Sequence, residues 1–174
     1  MVVQPSPTLP TALTFDDGIF QGHKYQYDHI LDSAGSAVDR RRWRWESCTV
    51  VNAFYSREAN VVYLPAALFY PPLWFQEETK RLANYCAMGC IVAHEMMHAL
   101  DYDSRHIDGA GLLRRWWTPP DEHQYMQAVE KTLQLYDRHQ AGSSRNTLSE
   151  NMADLMGLRL VWQTFLMRWK LTYE

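Results

Sequence analysis

Two histidines and a glutamate are spaced so that they could hold a metal ion and use it. His94, Glu95 and His98 form the pattern His-Glu-x-x-His. In a helix, residues four apart project from one face about one turn from each other, so both imidazoles could bind one Zn²⁺ at about 2.0–2.1 Å. Glu95 projects beside the pair, where its carboxylate reaches a metal-bound water rather than the metal. The pattern predicts one zinc ion per chain.

A catalytic zinc ion of this type needs a third protein ligand and one open position. Glu150, 52 residues after His98, is far enough along the chain for a loop and a helix to bring it back. Taken alone, Glu150 is more readily explained as a carboxylate at a helix N-terminus, where the macrodipole favours it, and spacing leaves both alternatives open. Asp154 and Asp101 are candidates to accept a hydrogen bond from the distal nitrogen of a histidine ligand.

The elements that must position these residues follow from the hydrophobic pattern. Two short segments, 49–55 and 60–64, have the composition of strands, and residues 56–59 between them suit a turn. Four segments are predicted to be helices: 19–31, 80–100, 119–139 and 150–170. The helix over 80–100 is apolar on all sides, which is typical of a helix buried in the centre of a domain. We therefore expect an α+β fold, mainly α, with a small β-sheet packed on this helix.

Composition limits the class of protein. The 174 residues suffice for one domain with a small appendage, and 47% hydrophobic with 21% charged residues excludes an intrinsically disordered chain. The net charge of −3 argues against a nucleic-acid-binding protein. The sequence RRRWRW at 40–45 is the only basic cluster, and its tryptophans could stack on bases. Given the acidic balance, we favour a helix face with buried indoles and solvated guanidinium groups.

No targeting signal is recognised in the sequence, and we therefore expect a soluble intracellular protein. The first ten residues contain neither the basic segment nor the apolar segment of a signal peptide. The most apolar stretch, residues 61–75, is interrupted by prolines and is too short to span a bilayer. We expect a cytoplasmic protein with no membrane partner.

Several motifs, in order along the chain, resemble the neprilysin-type (M13) zinc metallopeptidases. The resemblance covers roughly residues 36–170. The matching segments are Val38-Asp39-Arg40 with Trp45, the strand-like Val51-Asn52-Ala53-Phe54-Tyr55, Leu64-Pro65-Ala66-Ala67 with Pro71-Pro72, the segment 94–98 with Asp101, then Arg105, Gly111 and Trp116-Trp117, and finally the segment 146–154, NTLSENMAD.

The resemblance implies a zincin-like (gluzincin) catalytic domain over residues 36–174, preceded by an arm and a helix over 1–35. It also implies roles for eight residues. These are zinc ligands at His94, His98 and Glu150, a general base at Glu95, hydrogen-bond partners of the ligands at Asp154 and Asp101, and binding of the substrate main chain by Asn52 and the backbone of Ala53.

The chain also departs from this family. Family members are usually several times longer and have a large helical lobe over the active site. They place a transition-state-stabilising histidine and a substrate-binding arginine in a C-terminal segment without counterpart here. We expect internal replacements, donors from a second subunit, or a reaction that needs neither. The candidate replacements, each more readily explained as a surface or loop residue, are His106, His123, His139, Tyr102 and Tyr125.

Three functions are compatible with these features. The first is a zinc hydrolase that cleaves an amide bond in a peptide. The second is a zinc enzyme acting on a small non-peptide substrate, such as a small amide, in a biosynthetic pathway. The third is a non-catalytic module that holds an extended peptide along Asn52 and Ala53. We also expect a homodimer, because the missing lobe would leave apolar surface uncovered.

Overall fold

The computed structural model describes residues 15–37, 39–40, 43, 48–139 and 144–173. The chain divides into two compact units, and the division falls between residues 42 and 43. Most of the basic cluster 40–45 and the proline-containing arm lie outside the described residues. The domain boundary predicted after residue 35 stays a prediction.

The first unit contains helix α1, Phe15–Ser33. The helix predicted over 19–31 is thereby confirmed and is longer at both ends. Gly35 follows its last turn at a φ of +80°, a backbone conformation that glycine adopts without steric cost.

The second unit contains a two-stranded antiparallel sheet. Strand β1, Phe54–Ser56, pairs with strand β2, Val61–Tyr63. Both strands are shorter than predicted, and Ser56 belongs to β1 rather than to the turn. After β2 the chain leaves the sheet at Pro65, so the ladder in the described residues begins with the pair Phe54 and Tyr63. The Ser56 hydroxyl accepts the Ala59 N–H and thereby closes the turn.

A long helical segment over 78–100 confirms the central helix predicted over 80–100. Two α-helical parts, α2 at Arg81–Asn84 and α3 at Cys90–Met97, flank a π-helical turn at Tyr85–Gly89. Single 3₁₀ turns begin and end the segment. The expectation that this helix is buried on all sides is wrong at Leu82 and Met96, which are 57% and 47% exposed.

Two more helices complete the second unit. Helix α4, Pro119–His139, and helix α5, Leu148–Tyr173, confirm the helices predicted over 119–139 and 150–170. The two helices pack through a small apolar cluster: Tyr125, Val129, Leu133, Leu148 and Met152. On α5, Leu158 and Trp162 remain 60% and 58% exposed. The homodimer expected from uncovered apolar surface stays a prediction.

Helix α5 crosses α3 at very short range. A Cβ atom on Gly157 would lie 2.9 Å from the backbone nitrogen of His94 and 3.1 Å from the carbonyl carbon of Ala93. Such distances are closer than van der Waals contact allows, so only glycine fits here without moving a helix. The crossing brings the first turns of α5 next to the histidines of α3.

The fold is therefore mainly helical, with a small sheet packed on the helix that carries His94 and His98, as predicted. Within the described residues, no helix is both long and apolar enough to cross a lipid bilayer.

Candidate metal centre

Three side-chain atoms converge on one point: one from α3, one from His98 in the 3₁₀ turn that directly follows α3, and one from α5. The Nε2 atoms of His94 and His98 are 3.1 Å apart. Glu150 Oε2 lies 3.2 Å from His94 Nε2 and 3.7 Å from His98 Nε2. Atoms arranged tetrahedrally around an ion at about 2.0–2.1 Å are about 3.3–3.4 Å from one another. The three distances therefore fit the edges of a tetrahedral zinc site.

Both imidazoles are oriented by a carboxylate on their other nitrogen. His94 Nδ1 lies 2.8 Å from Asp154 Oδ1, and His98 Nδ1 lies 2.7 Å from Asp101 Oδ2. Each Nδ1–H donates to its carboxylate, so a neutral ring has no proton at Nε2 to donate to the other ring. Two nitrogen lone pairs and one carboxylate oxygen then face the same small space, which suits a cation.

Asp101 is held in place by several hydrogen bonds. It is 4% exposed, and its Oδ1 accepts the N–H groups of Asp103 at 2.9 Å and Ser104 at 2.7 Å. Burial opposes its ionisation, but the hydrogen bonds from His98 and Ser104 outweigh burial and keep the pKa of Asp101 below its usual value. The hydrogen bond to Asp101 in turn raises the pKa of His98.

Glu95 lies on the sheet side of α3 and is 8% exposed. Its carboxylate accepts a hydrogen bond from the backbone N–H of Tyr55 in β1. Burial raises the pKa of Glu95, although the nearby histidines act in the opposite direction. A raised pKa brings a carboxylate closer to the range in which a general base works well near neutral pH.

A cleft of about 420 Å³ opens over these groups. Its floor is His94, Glu95 and His98, and one wall is formed by residues 52–55 and Arg57. Both predicted substrate-binding residues therefore line the cleft. Asn52 Oδ1 accepts the N–H of Ala53 at 3.0 Å. Ala53 can thus offer a peptide its carbonyl oxygen rather than its N–H.

None of the five residues considered as internal replacements lines this cleft. Tyr125 is buried between α4 and α5, where its hydroxyl donates to Met152 Sδ at 3.5 Å. His123 is exposed on α4 and pairs with Gln127. These placements follow from helix packing, which the sequence pattern around a single histidine or tyrosine does not reveal.

Four residues that sequence reasoning missed do line the cleft: Arg57, Asp103, Ser104 and Ser149. The Ser149 hydroxyl donates to Asp103 Oδ2 at 2.7 Å and so links the loop after α3 to the first turn of α5, beside Glu150. A sequence signal for Ser149 was its position directly before Glu150. For Arg57 it was the alternation of side chains along the strand, which places every second residue on one face.

A His-Glu-x-x-His helix, packed on a small sheet and met by a carboxylate from a later helix, is the arrangement that defines the zincin-type metallopeptidases. The model of peptidase family M13 matches residues 52–172, and the chain belongs to this family. The resemblance noted in the sequence is thereby confirmed.

Relatives and solved structures agree with this assignment. The chain is 29% identical to the neutral endopeptidase of Lactococcus lactis over 161 residues, which are 87% of this chain and 25% of that protein. It is 30% identical to endothelin-converting enzyme 1 of Rattus norvegicus over 138 residues, 77% of this chain and 18% of the relative. The zinc metalloprotease Zmp1 of Mycobacterium tuberculosis, solved in complex with an inhibitor, superposes with a TM-score of 0.71 at 26% identity, covering 88% of this chain and 25% of that one. The chain thus spans a quarter or less of the length of these proteins.

Proposed function

We propose that this chain is a zinc-dependent hydrolase that cleaves peptide bonds. One zinc ion would be held by His94 Nε2, His98 Nε2 and Glu150 Oε2. The observation that carries the proposal is the convergence of these three atoms at tetrahedral spacing, with Glu95 beside them. Membership of a peptidase family supports the choice of a peptide as substrate.

The chemistry divides between the ion and the protein. A zinc ion at this site would supply a Lewis acid that polarises a carbonyl group and lowers the pKa of a water. Glu95 takes the proton of the attacking water and later delivers it to the leaving amine. Its raised pKa and its partial shielding from solvent by β1 suit both roles.

The remaining residues orient these groups. Asp154 and Asp101 hold the imidazoles so that both Nε2 atoms face the ion. Residues 51–53 precede β1 and have no partner in the described sheet, so an extended peptide can add to this edge. Asn52 and the Ala53 carbonyl would bind its main chain.

The direct test is the variant Glu95→Gln. We expect it to bind zinc as the unmodified chain does, because Glu95 is not one of the three proposed zinc ligands. Turnover of peptide substrates should fall by about 10²–10⁴-fold, the usual contribution of a general base. Metal content is read by mass spectrometry and cleavage by chromatography of a peptide library. Full activity in this variant would overturn the role of Glu95.

The same library, tested beside a set of small amides and esters, separates the other two functions. A small non-peptide substrate would be indicated if peptides are not cleaved while small amides or esters are. A binding module would be indicated if peptides bind the zinc-loaded chain and none of these substrates is converted.

A further inference from the structure

The cleft is unusual in its distribution of charge. Among the residues that the structure describes, its lining contains four carboxylates and two imidazoles but a single arginine or lysine, Arg57. The four carboxylates are Glu95, Asp101, Asp103 and Glu150. A bound zinc ion would offset the charge of Glu150. Away from that ion, Arg57 is the side chain of the described lining that attracts a negatively charged substrate group.

Arg57 is close along the chain to the strand residue that contacts Glu95. It is the first residue after β1 and comes two residues after Tyr55, whose N–H donates to Glu95. Two residues of extended chain span about 6.5–7 Å. A peptide that pairs with the edge beside β1, with its cleaved bond at Glu95, would therefore bring a neighbouring side chain or chain end within reach of Arg57.

The guanidinium group of Arg57 has one neighbouring carboxylate and still has N–H groups that can donate to a substrate. Arg57 Nε lies 3.7 Å from Glu58 Oε1, while the Ser56 hydroxyl donates to Glu58 Oε2 at 3.3 Å. Because Glu58 meets the Nε side, the two Nη groups still carry four N–H donors, which suit a carboxylate. The side chain is 47% exposed, so a substrate can reach it.

We propose that Arg57 determines specificity by binding a carboxylate of the peptide substrate close to the cleaved bond. The carboxylate belongs either to an acidic side chain or to the C-terminus of the peptide. Glu58 competes for the same guanidinium group and limits the affinity. This inference rests on the proposed function, since it assumes that a peptide lies along β1.

Binding is measured on the full chain, loaded with zinc and carrying Glu95→Gln so that no peptide is consumed. Four versions of one peptide are compared by calorimetry: an aspartate or an asparagine next to the expected cleavage site, each with a free or an amidated C-terminus. Adding Arg57→Gln should weaken binding of the carboxylate-bearing versions about tenfold, as expected for a charge-assisted hydrogen bond. Binding of the version with no carboxylate should be unchanged.

Two further variants sharpen the result. Glu58→Gln removes the competing carboxylate while keeping a hydrogen-bond acceptor for Ser56, so it should strengthen binding of the same versions a few-fold. Arg115→Gln makes the same change in net charge as Arg57→Gln at a side chain that is 88% exposed and outside the cleft. It should leave all four affinities unchanged.

The pattern across the four versions identifies the source of the carboxylate. Loss confined to the aspartate peptides indicates an acidic side chain, and loss confined to free C-termini indicates the chain end. Equal losses in Arg57→Gln and Arg115→Gln, equal losses for all four versions, or no binding of any version would overturn the inference. Turnover by the chain with Glu95 intact is measured separately. A chain that does not hydrolyse peptides can therefore be distinguished from a chain whose Arg57 does not bind the carboxylate.

Discussion

The two walls of the cleft are built in different ways. On the metal side, α3 and α5 meet at Gly157 with no room for a methyl group, and each imidazole is fixed by a carboxylate. On the strand side, β1 has three residues, and Asn52 and Arg57 are exposed. The contrast teaches that the two imidazoles proposed to hold an ion are each constrained by packing and by a hydrogen bond at Nδ1. Asn52 and Arg57, which are proposed to meet a substrate, are exposed and can change without disturbing the packing.

Glu150→Ala gives the largest expected effect on the metal side. The variant removes one of the three converging atoms, and Glu150 is itself exposed, so the fold should survive. We expect zinc affinity to fall by more than the roughly 10–100-fold typical of losing a hydrogen-bond partner of a ligand. Competition with a fluorescent chelator measures the affinity. Retained affinity in a folded variant would exclude Glu150 as a ligand.

The next largest effects are expected from Asp154→Asn and Asp101→Asn. Each should lower zinc affinity by about 10–100-fold. An amide is a weaker acceptor than a carboxylate and orients the imidazole less firmly. Asp101→Asn should also lower thermal stability, because Asp101 is buried and accepts two backbone N–H groups, whereas Asp154 is exposed. Equal melting temperatures for the two variants would contradict this difference.

Gly157→Ala tests the close helix crossing. The added methyl group meets the backbone of α3, so the free energy of unfolding should fall by roughly 1–3 kcal/mol. Zinc affinity should fall several-fold, because α5 carries Glu150 and Asp154. The matched control is Gly109→Ala, where the nearest atom to a Cβ is the side-chain nitrogen of Asn60 at 3.6 Å. Equal denaturant midpoints for the two variants would show that the crossing tolerates a side chain.

Ser149→Ala should have the smallest effect. Loss of the hydrogen bond to Asp103 frees the first turn of α5 from the loop after α3. We expect a two- to five-fold loss of zinc affinity, which is less than the effect of losing one charge-assisted hydrogen bond to the metal ligands themselves. Asp103→Asn keeps an acceptor for the serine and is the control. A larger loss in Asp103→Asn than in Ser149→Ala would argue against this bond as the cause.

The contrast between the walls also explains what the sequence could predict. His94, Glu95 and His98 lie within two helical turns, so their geometry follows from helix periodicity alone. The helices that carry the site were predicted because their apolar patterns are long. Glu150 could be proposed as a zinc ligand only with the family resemblance, since a separation of 52 residues does not determine a contact.

The remaining features depend on tertiary packing. Strand ends could not be predicted because they depend on where the partner strand turns away, here at Pro65. The link between Ser149 and Asp103 depends on how two distant loops meet. Residue type alone does not place a side chain, and none of the five candidate replacement donors lines the cleft.

The central claim is that one zinc ion binds to two imidazoles of α3 and to the carboxylate of Glu150. Zinc K-edge absorption spectroscopy, combined with elemental analysis of the purified chain and of Glu150→Ala, tests it most directly. We predict one zinc per chain, with two imidazole nitrogens and oxygen ligands at about 2.0–2.1 Å, and fewer oxygen ligands or no zinc in Glu150→Ala. A chain without stoichiometric zinc, or a coordination shell that Glu150→Ala leaves unchanged, would contradict the account.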